Sequence, residues 1–334
     1  MPTEASPTPT AAASRVSTLR AEVNAALQTL VPDEAPALLY APARYVLDGQ
    51  GKRVRPVLLL LAAEAFGTAA ATAMPAALAV ELFHNFTLVH DDIMDHAEAR
   101  RGRPTVHCEW DPETAILTGD YLMGQSYRLL SQVDSNRLPA LLDVYHTMVE
   151  RLCKGQALDK AFETQRNVPV DAYLRMIDCK TGALLEAVLE LGGIIGGASA
   201  DQRTALRTLG RAMGRAFQIQ DDLLDVTADS EQWGKVVGGD LVEGKKTFLL
   251  LRALERADGE DYAWFNRILD HDGLPERQID EARARMDRLG VFDEARDAVR
   301  HHSSAARDQL ARLPQNAATH TLQWFIDELE SRVH

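Results

Sequence analysis

The chain is poor in cysteine, with only Cys108, Cys153 and Cys179 among its 334 residues. Three cysteines cannot all pair, and their spacing matches no metal-ligand pattern. This usage argues against a disulfide framework and against a structural zinc site. It favours free thiols in a reducing compartment, and the cytoplasm fits that expectation.

Long hydrophobic runs are also missing. The longest uninterrupted aliphatic stretch covers residues 57–63, which is far short of the roughly 20 residues that cross a bilayer. The first 14 residues are rich in Pro, Thr and Ala and contain neither a basic region nor an apolar run, so they are not a secretory signal. We expect residues 1–14 to form a disordered tail.

Positive charge is scarce, since 36 Lys and Arg face 49 Asp and Glu and the formal net charge is −13. Binding along a nucleic-acid backbone requires a basic face, so the charge balance argues against that class of function. Any anionic ligand must instead meet cations that are placed locally.

Helical periodicity dominates what is present. From residue 15 onward apolar residues recur at helical spacing, as in Leu19, Val23 and Leu27, and strand-like alternation is almost absent. Breaks rich in Gly and Pro leave about ten helices, of which segments 57–66, 76–89 and 183–195 are apolar on more than one face. These patterns predict a single all-α domain over residues 15–334 with central helices surrounded by amphipathic ones.

Two acidic clusters with the same spacing each follow an apolar segment. Asp91, Asp92 and Asp95 form the first cluster, and the second consists of Asp221, Asp222 and Asp225. On a helix, carboxylates four residues apart share one face. One such cluster is more typical of a solvated helix end, but two matched copies favour a function. Hard oxygen ligands select Mg²⁺, which typically bridges carboxylates to substrate phosphates, so the implied ligand is a diphosphate.

Local cations accompany both clusters. Lys52, Arg53 and Arg55 open one predicted helix, and Arg100 and Arg101 follow the first cluster. Taken alone, each basic run is more typical of an exposed helix end. A binding site for a second diphosphate would need further donors, which can be supplied by Lys180, Thr181, Gln218, Lys235 and Lys245. Lys235 lies on the Gly- and Asp-rich segment 226–244, which we predict to be a mobile lid.

At these residues the sequence resembles the trans-isoprenyl diphosphate synthases, or polyprenyl synthetases. The matching blocks occur in the family's order and cover nearly the whole chain after the tail: GKRVRP at 51–56, ELFHNFTLVHDDIMD at 81–95, RRGRPTVH at 100–107, GDYL at 119–122, KTGAL at 180–184 and FQIQDDLLD at 217–225. The resemblance implies an isoprenoid-synthase-type helical bundle with a central apolar cavity. It also implies a homodimer and about three Mg²⁺ ions per active site.

The resemblance assigns roles residue by residue. It implies that Asp91, Asp95 and Asp221 are the main metal ligands, assisted by Asp92, Asp222 and Asp225. Isopentenyl diphosphate is expected to bind to Lys52, Arg55, His84 and Arg101. The allylic diphosphate is expected to bind to Arg100, Lys180, Thr181, Gln218, Lys235 and Lys245. Lys180 and Lys235 join Asp91, Asp95 and Asp221 as the expected catalytic residues. The implied reaction is ionisation of the allylic diphosphate, attack by the isopentenyl double bond and loss of a proton.

Product length is expected to depend on the helix before Asp91. Phe86 and Phe83 lie about 7.5 Å and about 12 Å along the helix from Asp91, next to Thr87, and two aromatic rings at that spacing predict an early stop. The alternative is that both rings are ordinary core residues turned away from the cavity. The stretch looks similar to that of geranylgeranyl-type synthases, which favours a C20 product, with C15 as the alternative and longer chains less favoured.

Two other functions are disfavoured. A class I terpene cyclase normally lacks a second full DDxxD motif and the isopentenyl site, and a non-catalytic synthase subunit typically loses one acidic cluster. The present chain keeps all of these features.

Overall fold

The computed structural model describes residues 9–49, 51–134, 136–228, 237–271 and 273–331. Within these ranges the chain forms sixteen α-helices: α1 (Pro9–Leu27), α2 (Ala37–Leu47), α3 (Val54–Glu64), α4 (Ala70–Met94), α5 (Val106–Glu109), α6 (Pro112–Leu130), α7 (Leu138–Thr164), α8 (Val170–Ile177), α9 (Ala183–Gly196), α10 (Ala200–Thr227), α11 (Gly239–Val242), α12 (Phe248–Arg256), α13 (Gly259–Asp270), α14 (Ile279–Arg288), α15 (Val291–Leu310) and α16 (Ala317–Ser331). A π-helical turn, Asp178–Gly182, joins α8 to α9, and a 3₁₀ turn, Glu276–Gln278, precedes α14.

The predicted all-α class is confirmed. The predicted count of about ten helices was too low, because some boundaries between helices have only one glycine with positive φ instead of a Gly/Pro cluster. Gly259 and Gly290 are two such positions. In the opposite sense, Pro75 lies inside α4 and does not mark a boundary.

The boundary of the expected disordered tail was also wrong for residues 9–14. Helix α1 begins at Pro9, and Ala12 is already buried. Proline is favoured at the first helical position and alanine is the best helix former, so this short segment continues the helix toward the N-terminus.

The chain divides into two compact units. Unit 1 comprises Met1–Tyr145, Val188–Thr204 and Leu313–Trp324, and unit 2 comprises His146–Ala187, Ala205–Arg312 and Phe325–His334. The expectation of one domain from residue 15 onward stays a prediction.

Unit 1 is centred on α4, which packs along α3 and α6. Residues 57–63 of α3 and residues 76–85 of α4 are buried almost throughout, which confirms them as central segments. Residues 188–195 of α9 are buried as well, and a methyl group at Gly192 would lie only 2.4 Å from the carbonyl oxygen of Leu59. Gly192 therefore allows close packing of α9 on α3.

Unit 2 has its own apolar core, in which α12 packs against α8, α13 and α15. The predicted lid falls partly here: α10 ends at Thr227 and α11 follows at Gly239, while residues 229–236 lie outside the described ranges.

None of the helices in the described ranges combines the length and the apolar character that crossing a bilayer requires. The expectation of free thiols is met, since none of the three cysteines forms a disulfide.

Candidate functional site

The first acidic cluster lies at the end of α4. Asp95 caps the helix, and its N–H donates to the carbonyl oxygen of Asp91 at 2.8 Å. Asp92 is buried, and its Oδ1 accepts from Nε and Nη2 of Arg100 at 2.7 and 2.6 Å. Asp92 is thus paired with an arginine, whereas the carboxylates of Asp91 and Asp95 are more accessible.

A small β-hairpin places the two arginines that follow this cluster. Strands β1 (Ala99–Arg100) and β2 (Arg103–Pro104) are antiparallel and are joined by Arg101 and Gly102, both with positive φ. A two-residue loop of this kind matches the twist of a hairpin. The left-handed conformation of Arg101 costs about 1–3 kcal/mol, and strain of this kind tends to cluster at functional sites. The sequence predicted a turn here but not the strands.

Arg53 anchors the loop before α3. Its Nη1 forms a buried ion pair with Glu81 at 2.7 Å, and both side chains are 3% exposed. Its Nε donates to Asn24 Oδ1 at 2.9 Å, and its Nη2 donates to the carbonyl oxygens of Leu47 and Gly49 at 2.8 and 2.9 Å. Neither Arg53 nor Glu81 is among the residues predicted to bind substrate or metal. A carboxylate on the apolar face of α4 was the available signal, because a buried charge requires a partner.

Arg53, Arg55, Arg101 and His84 form what we call the arginine cluster. Arg55 Nη1 lies 3.0 Å from His84 Nε2. Burial, and next the positive charge of Arg55, lower the pKa of His84 well below its usual value. The imidazole is therefore neutral, and its Nε2 accepts the hydrogen bond.

Arg55 shows most clearly that the arginine cluster fits an anion. Burial lowers the pKa of Arg55 to about 10. Its Nε is buried and has no hydrogen-bond partner within the described ranges. A methyl group at Gly51 would lie 3.0 Å from Arg101 Nη1, so this glycine leaves room for the second guanidinium. Glu81 pairs with Arg53 and also attracts Arg55 and Arg101, while Asp92 pairs with Arg100, so the arginines outnumber the carboxylates here and an anion is favoured. Lys52 is exposed beside them.

In the second acidic cluster Asp222 is fully engaged by the protein. Its Oδ2 accepts from the Tyr173 hydroxyl and from the Phe248 N–H, and its Oδ1 accepts from Gln218 Nε2 at 3.1 Å. Burial raises the pKa of Asp222 to about 7.

The other two carboxylates of this cluster differ from Asp222. Asp225 accepts from the N–H of Asp240 at the start of α11. Asp221 is partly exposed.

The predicted cations of unit 2 lie against acceptors. Lys180 pairs with Asp159, and Lys245 contacts Glu243 at 2.6 Å and Asp240 at 3.7 Å. Next to it, Lys246 donates to the carbonyl oxygen of Glu163 at 3.1 Å. We call Lys180 and Lys245, the two described lysines that are predicted to bind the allylic diphosphate, the lysine group. Thr181 Oγ1 donates to Gln218 Oε1 at 3.0 Å, whereas Lys235 lies outside the described residues.

The acidic clusters fit a metal only together with a ligand. In the described part of the chain, no three side chains of His, Cys, Asp or Glu converge to enclose an ion. Mg²⁺ usually takes one or two carboxylates and completes its shell with water and phosphate oxygens. Accessible aspartates such as Asp91, Asp95 and Asp221 can supply that share.

The residues expected to limit product length lie in different surroundings. Phe83 is 1% exposed, and its ring centroid lies 5.5 Å from that of Tyr145. Phe86 is only partly buried, with its ring 5.3 Å from Phe83 and 4.7 Å from His90. Thr87 donates to the carbonyl oxygen of His84 within its own helix. Phe86 is therefore the more accessible of the two rings, and Phe83 belongs to the core of unit 1.

Comparison with known proteins gives consistent matches over most of the chain. The family model described as polyprenyl synthetase matches residues 36–286. A geranylgeranyl diphosphate synthase from Methanosarcina mazei is 45% identical over 236 residues, covering 70% of this chain and 73% of that protein. A geranylfarnesyl diphosphate synthase from Natronomonas pharaonis is 37% identical and covers 96% of this chain and 97% of its own.

Solved structures agree with these relatives. A polyprenyl synthase from Caulobacter crescentus, complexed with calcium and isoprenyl diphosphate, superposes with a TM-score of 0.88. It is 28% identical and covers 99% of this chain and 100% of that one. The fold predicted from the resemblance is thereby confirmed.

Proposed function

The chain belongs to the polyprenyl synthetase family and is a trans-prenyltransferase, and we propose that it condenses isopentenyl diphosphate with an allylic diphosphate to give C20 geranylgeranyl diphosphate. The observation that carries this proposal is the arginine cluster with its unsatisfied Arg55 Nε, which lies in the same unit as the first acidic cluster.

We assign isopentenyl diphosphate to the arginine cluster. Arg55 and Arg101 donate to its phosphate oxygens, and Lys52 adds a charge from the loop edge. Neutral His84 keeps Arg55 oriented through the 3.0 Å contact. Arg53 and Glu81 hold the loop in place, so the charge of the bound anion meets donors that need no rearrangement.

We assign the allylic diphosphate to the metal ions and the lysine group. Asp91, Asp95 and Asp221 are the proposed main metal ligands, with about three Mg²⁺ ions per active site. Bound Mg²⁺ supplies electrostatic stabilisation of the departing diphosphate. Lys180, Lys235 and Lys245 add positive charge, and Thr181, Gln218 and Arg100 complete the donors. Asp222 holds Tyr173, Gln218 and the start of α12, so we place it as a positioning residue.

The reaction needs no protein nucleophile. The allylic C–O bond breaks with both electrons going to the diphosphate, the isopentenyl double bond attacks the resulting cation, and a proton leaves to form the new double bond. The residues must bind both substrates, orient them and exclude water from the cation.

Product length rests on Phe86. Its ring is the more accessible aromatic before Asp91, and Phe83 behind it packs on Tyr145. Several relatives at 35–45% identity are named geranylgeranyl diphosphate synthases, which supports C20.

The test is to incubate the purified chain with Mg²⁺, isopentenyl diphosphate and, separately, dimethylallyl, geranyl and farnesyl diphosphates. The dephosphorylated alcohols are then sized by mass spectrometry. We expect a C20 alcohol from each primer, whereas the absence of any isopentenyl-dependent product would refute the proposal. Phe86→Ala should lengthen the product, while Leu88→Ala, on another face of the same helix, should not. An unchanged product from Phe86→Ala would remove Phe86 from its assigned role.

We also propose a homodimer in the cytoplasm. The exposed side chains of Ile116 and Leu117 on α6 support an intersubunit contact, and the three free thiols support a reducing compartment. Light scattering of the purified chain, with Leu117→Glu as the variant expected to shift it toward monomer, tests the assembly.

A further inference from the structure

The π-helical turn of residues 178–182 carries two of the proposed diphosphate donors, Lys180 and Thr181. A π-turn inserts a residue into an α-helical path, and such insertions are frequent at functional sites. Neighbouring helices of unit 2 contact the backbone of this turn, and the reaction proposed above assigns no role to those contacts.

Two glycines bring neighbouring helices against the backbone of the turn. A methyl group at Gly155 of α7 would lie 2.3 Å from the backbone nitrogen of Lys180. A methyl group at Gly214 of α10 would lie 2.9 Å from the Cα of Gly182. Side chains at either position would force the backbone of the turn to move.

Two arginines fix the first residue of the turn. Nε and Nη2 of Arg215 donate to the two carboxylate oxygens of Asp178 at 2.7 and 2.6 Å. Arg151 Nη2 donates to the Asp178 carbonyl oxygen at 2.9 Å, and the same guanidinium holds Glu186 at 2.7 and 2.9 Å. Bidentate pairs of this kind fix orientation as well as distance.

The far side of the turn presents its functional side chains in two directions. Lys180 reaches Asp159 of α7, and Thr181 reaches Gln218, which continues to Asp222 of the second acidic cluster. Gly155, Gly214, Arg151 and Arg215 all contact the backbone or the first residue of the turn. Lys180 Nζ and Thr181 Oγ1, by contrast, contact Asp159 and Gln218.

We infer that Gly155, Gly214, Arg151 and Arg215 are positioning residues that hold the π-turn so that Lys180 and Thr181 meet the allylic diphosphate. The inference rests on the proposed function for the identity of the ligand. It predicts that disturbing the turn impairs recognition of one substrate and not of the other.

The sharpest test compares two alanine substitutions one helical turn apart on α10. Gly214 contacts the π-turn, whereas a methyl group at Gly210 would lie 2.6 Å from the Leu185 carbonyl oxygen and 2.7 Å from the Glu186 backbone, on α9. Both substitutions meet backbone atoms, so both should lower the melting temperature. Gly214→Ala should also raise KM for geranyl diphosphate by about tenfold or more, since displacement by about 1 Å can cost up to about 100-fold. KM for isopentenyl diphosphate should stay within about twofold. Gly210→Ala should leave both KM values within about twofold.

Arg215→Lys provides a milder variant in case the alanine substitutions do not fold. Lysine keeps the charge but loses the bidentate pair with Asp178, so KM for geranyl diphosphate should again rise selectively. Equal effects of Gly214→Ala and Gly210→Ala on that KM, or equal effects of Arg215→Lys on both substrates, would overturn the inference.

Calorimetric titration with Mg²⁺ and inorganic diphosphate separates this inference from the proposed function, because it needs no turnover. A wild-type chain that binds magnesium diphosphate but forms no prenyl product would refute the proposed function. Weaker binding in Gly214→Ala than in Gly210→Ala would still support the role of the turn. Equal binding by both variants, or no binding by the wild type, would overturn it.

Discussion

In unit 1 the arginines of the candidate site outnumber the carboxylates that they contact, whereas in unit 2 both members of the lysine group lie against a carboxylate. Arg53 pairs with Glu81, which also attracts Arg55 and Arg101, and Arg55 Nε is buried without a partner in the described residues. By contrast, Lys180 pairs with Asp159 and Lys245 pairs with Glu243.

The two units are therefore expected to bind their diphosphates in different ways. The arginine cluster is already arranged for an anion, and a bound diphosphate satisfies a donor that is otherwise unsatisfied. The lysine group must exchange its carboxylate partners for phosphate oxygens, so the loss of those ion pairs offsets part of the binding free energy. Metal ions held by the aspartates are expected to make up that difference at the allylic diphosphate.

The largest expected effect comes from removing a proposed metal ligand in either unit. Asp91→Asn and Asp221→Asn should each lower kcat by at least about 10³-fold, because metal stabilisation of the leaving group contributes several kcal/mol. Asp143→Asn, an exposed acid of unit 1, is the matched control and should retain activity. An activity loss confined to one cluster would mean that the two clusters do not act together.

The next effect is on stability, where the buried ion pair of Arg53 with Glu81 should contribute more than an exposed ion pair. Arg53→Ala leaves Glu81 buried without its partner, which should lower the free energy of unfolding by about 3–5 kcal/mol. Lys160→Ala breaks the exposed pair with Glu163 and should cost at most about 1 kcal/mol. Urea denaturation measures both. Similar losses in the two variants would show that the Arg53 pair does not stabilise its loop.

A third, smaller effect contrasts the two substrates directly. Arg55→Ala should raise KM for isopentenyl diphosphate by about 10- to 100-fold, the range of a charge-assisted hydrogen bond, with little change for the allylic substrate. Lys180→Ala should raise KM for the allylic substrate, but by less, since Asp159 already competes for this lysine. Asp159→Asn, which removes the competitor, should lower that KM. An unchanged or higher KM for the allylic substrate in Asp159→Asn would contradict the idea that Asp159 competes with this substrate for Lys180.

The smallest effect is a pH dependence in unit 2. Burial, together with the positive charges of Arg215 and His301, lowers the pKa of His302 to about 4. Because the unfolded state binds the proton more tightly, with a pKa near 6.5, His302 contributes stability above that pH. This contribution is lost as the pH falls from about 6.5 to about 4.

Urea midpoints at pH 7 and pH 5 test this sign. His302→Gln should reduce the difference in the free energy of unfolding between pH 7 and pH 5 by about 1 kcal/mol or less, because solvent screens this partly exposed side chain. His301→Gln, at the exposed neighbouring position, should change it less. A pH dependence that His302→Gln leaves intact would assign it to other groups.

Periodicity and motif spacing predicted the helical class, the central segments and the two acidic clusters, because these follow from short-range patterns. The partners of individual charges could not be predicted in this way. Arg53 and Glu81 are 28 residues apart, and nothing local in the sequence states that they meet.

Local irregularities were missed for a related reason. The π-turn at 178–182 depends on Gly155 and Gly214 from other helices, and the hairpin at 99–104 requires an arginine in a conformation that favours glycine. Packing partners decide such features, and a single segment does not reveal them.

We expect the arginine cluster to bind its diphosphate without metal, whereas the allylic diphosphate requires metal. Calorimetry with isopentenyl diphosphate and with an unreactive allylic thiolodiphosphate, each in Mg²⁺ and in excess EDTA, tests it directly. EDTA should change Kd for isopentenyl diphosphate by less than about threefold and should raise Kd for the allylic analogue by at least about tenfold. Equal loss of both ligands in EDTA would contradict it.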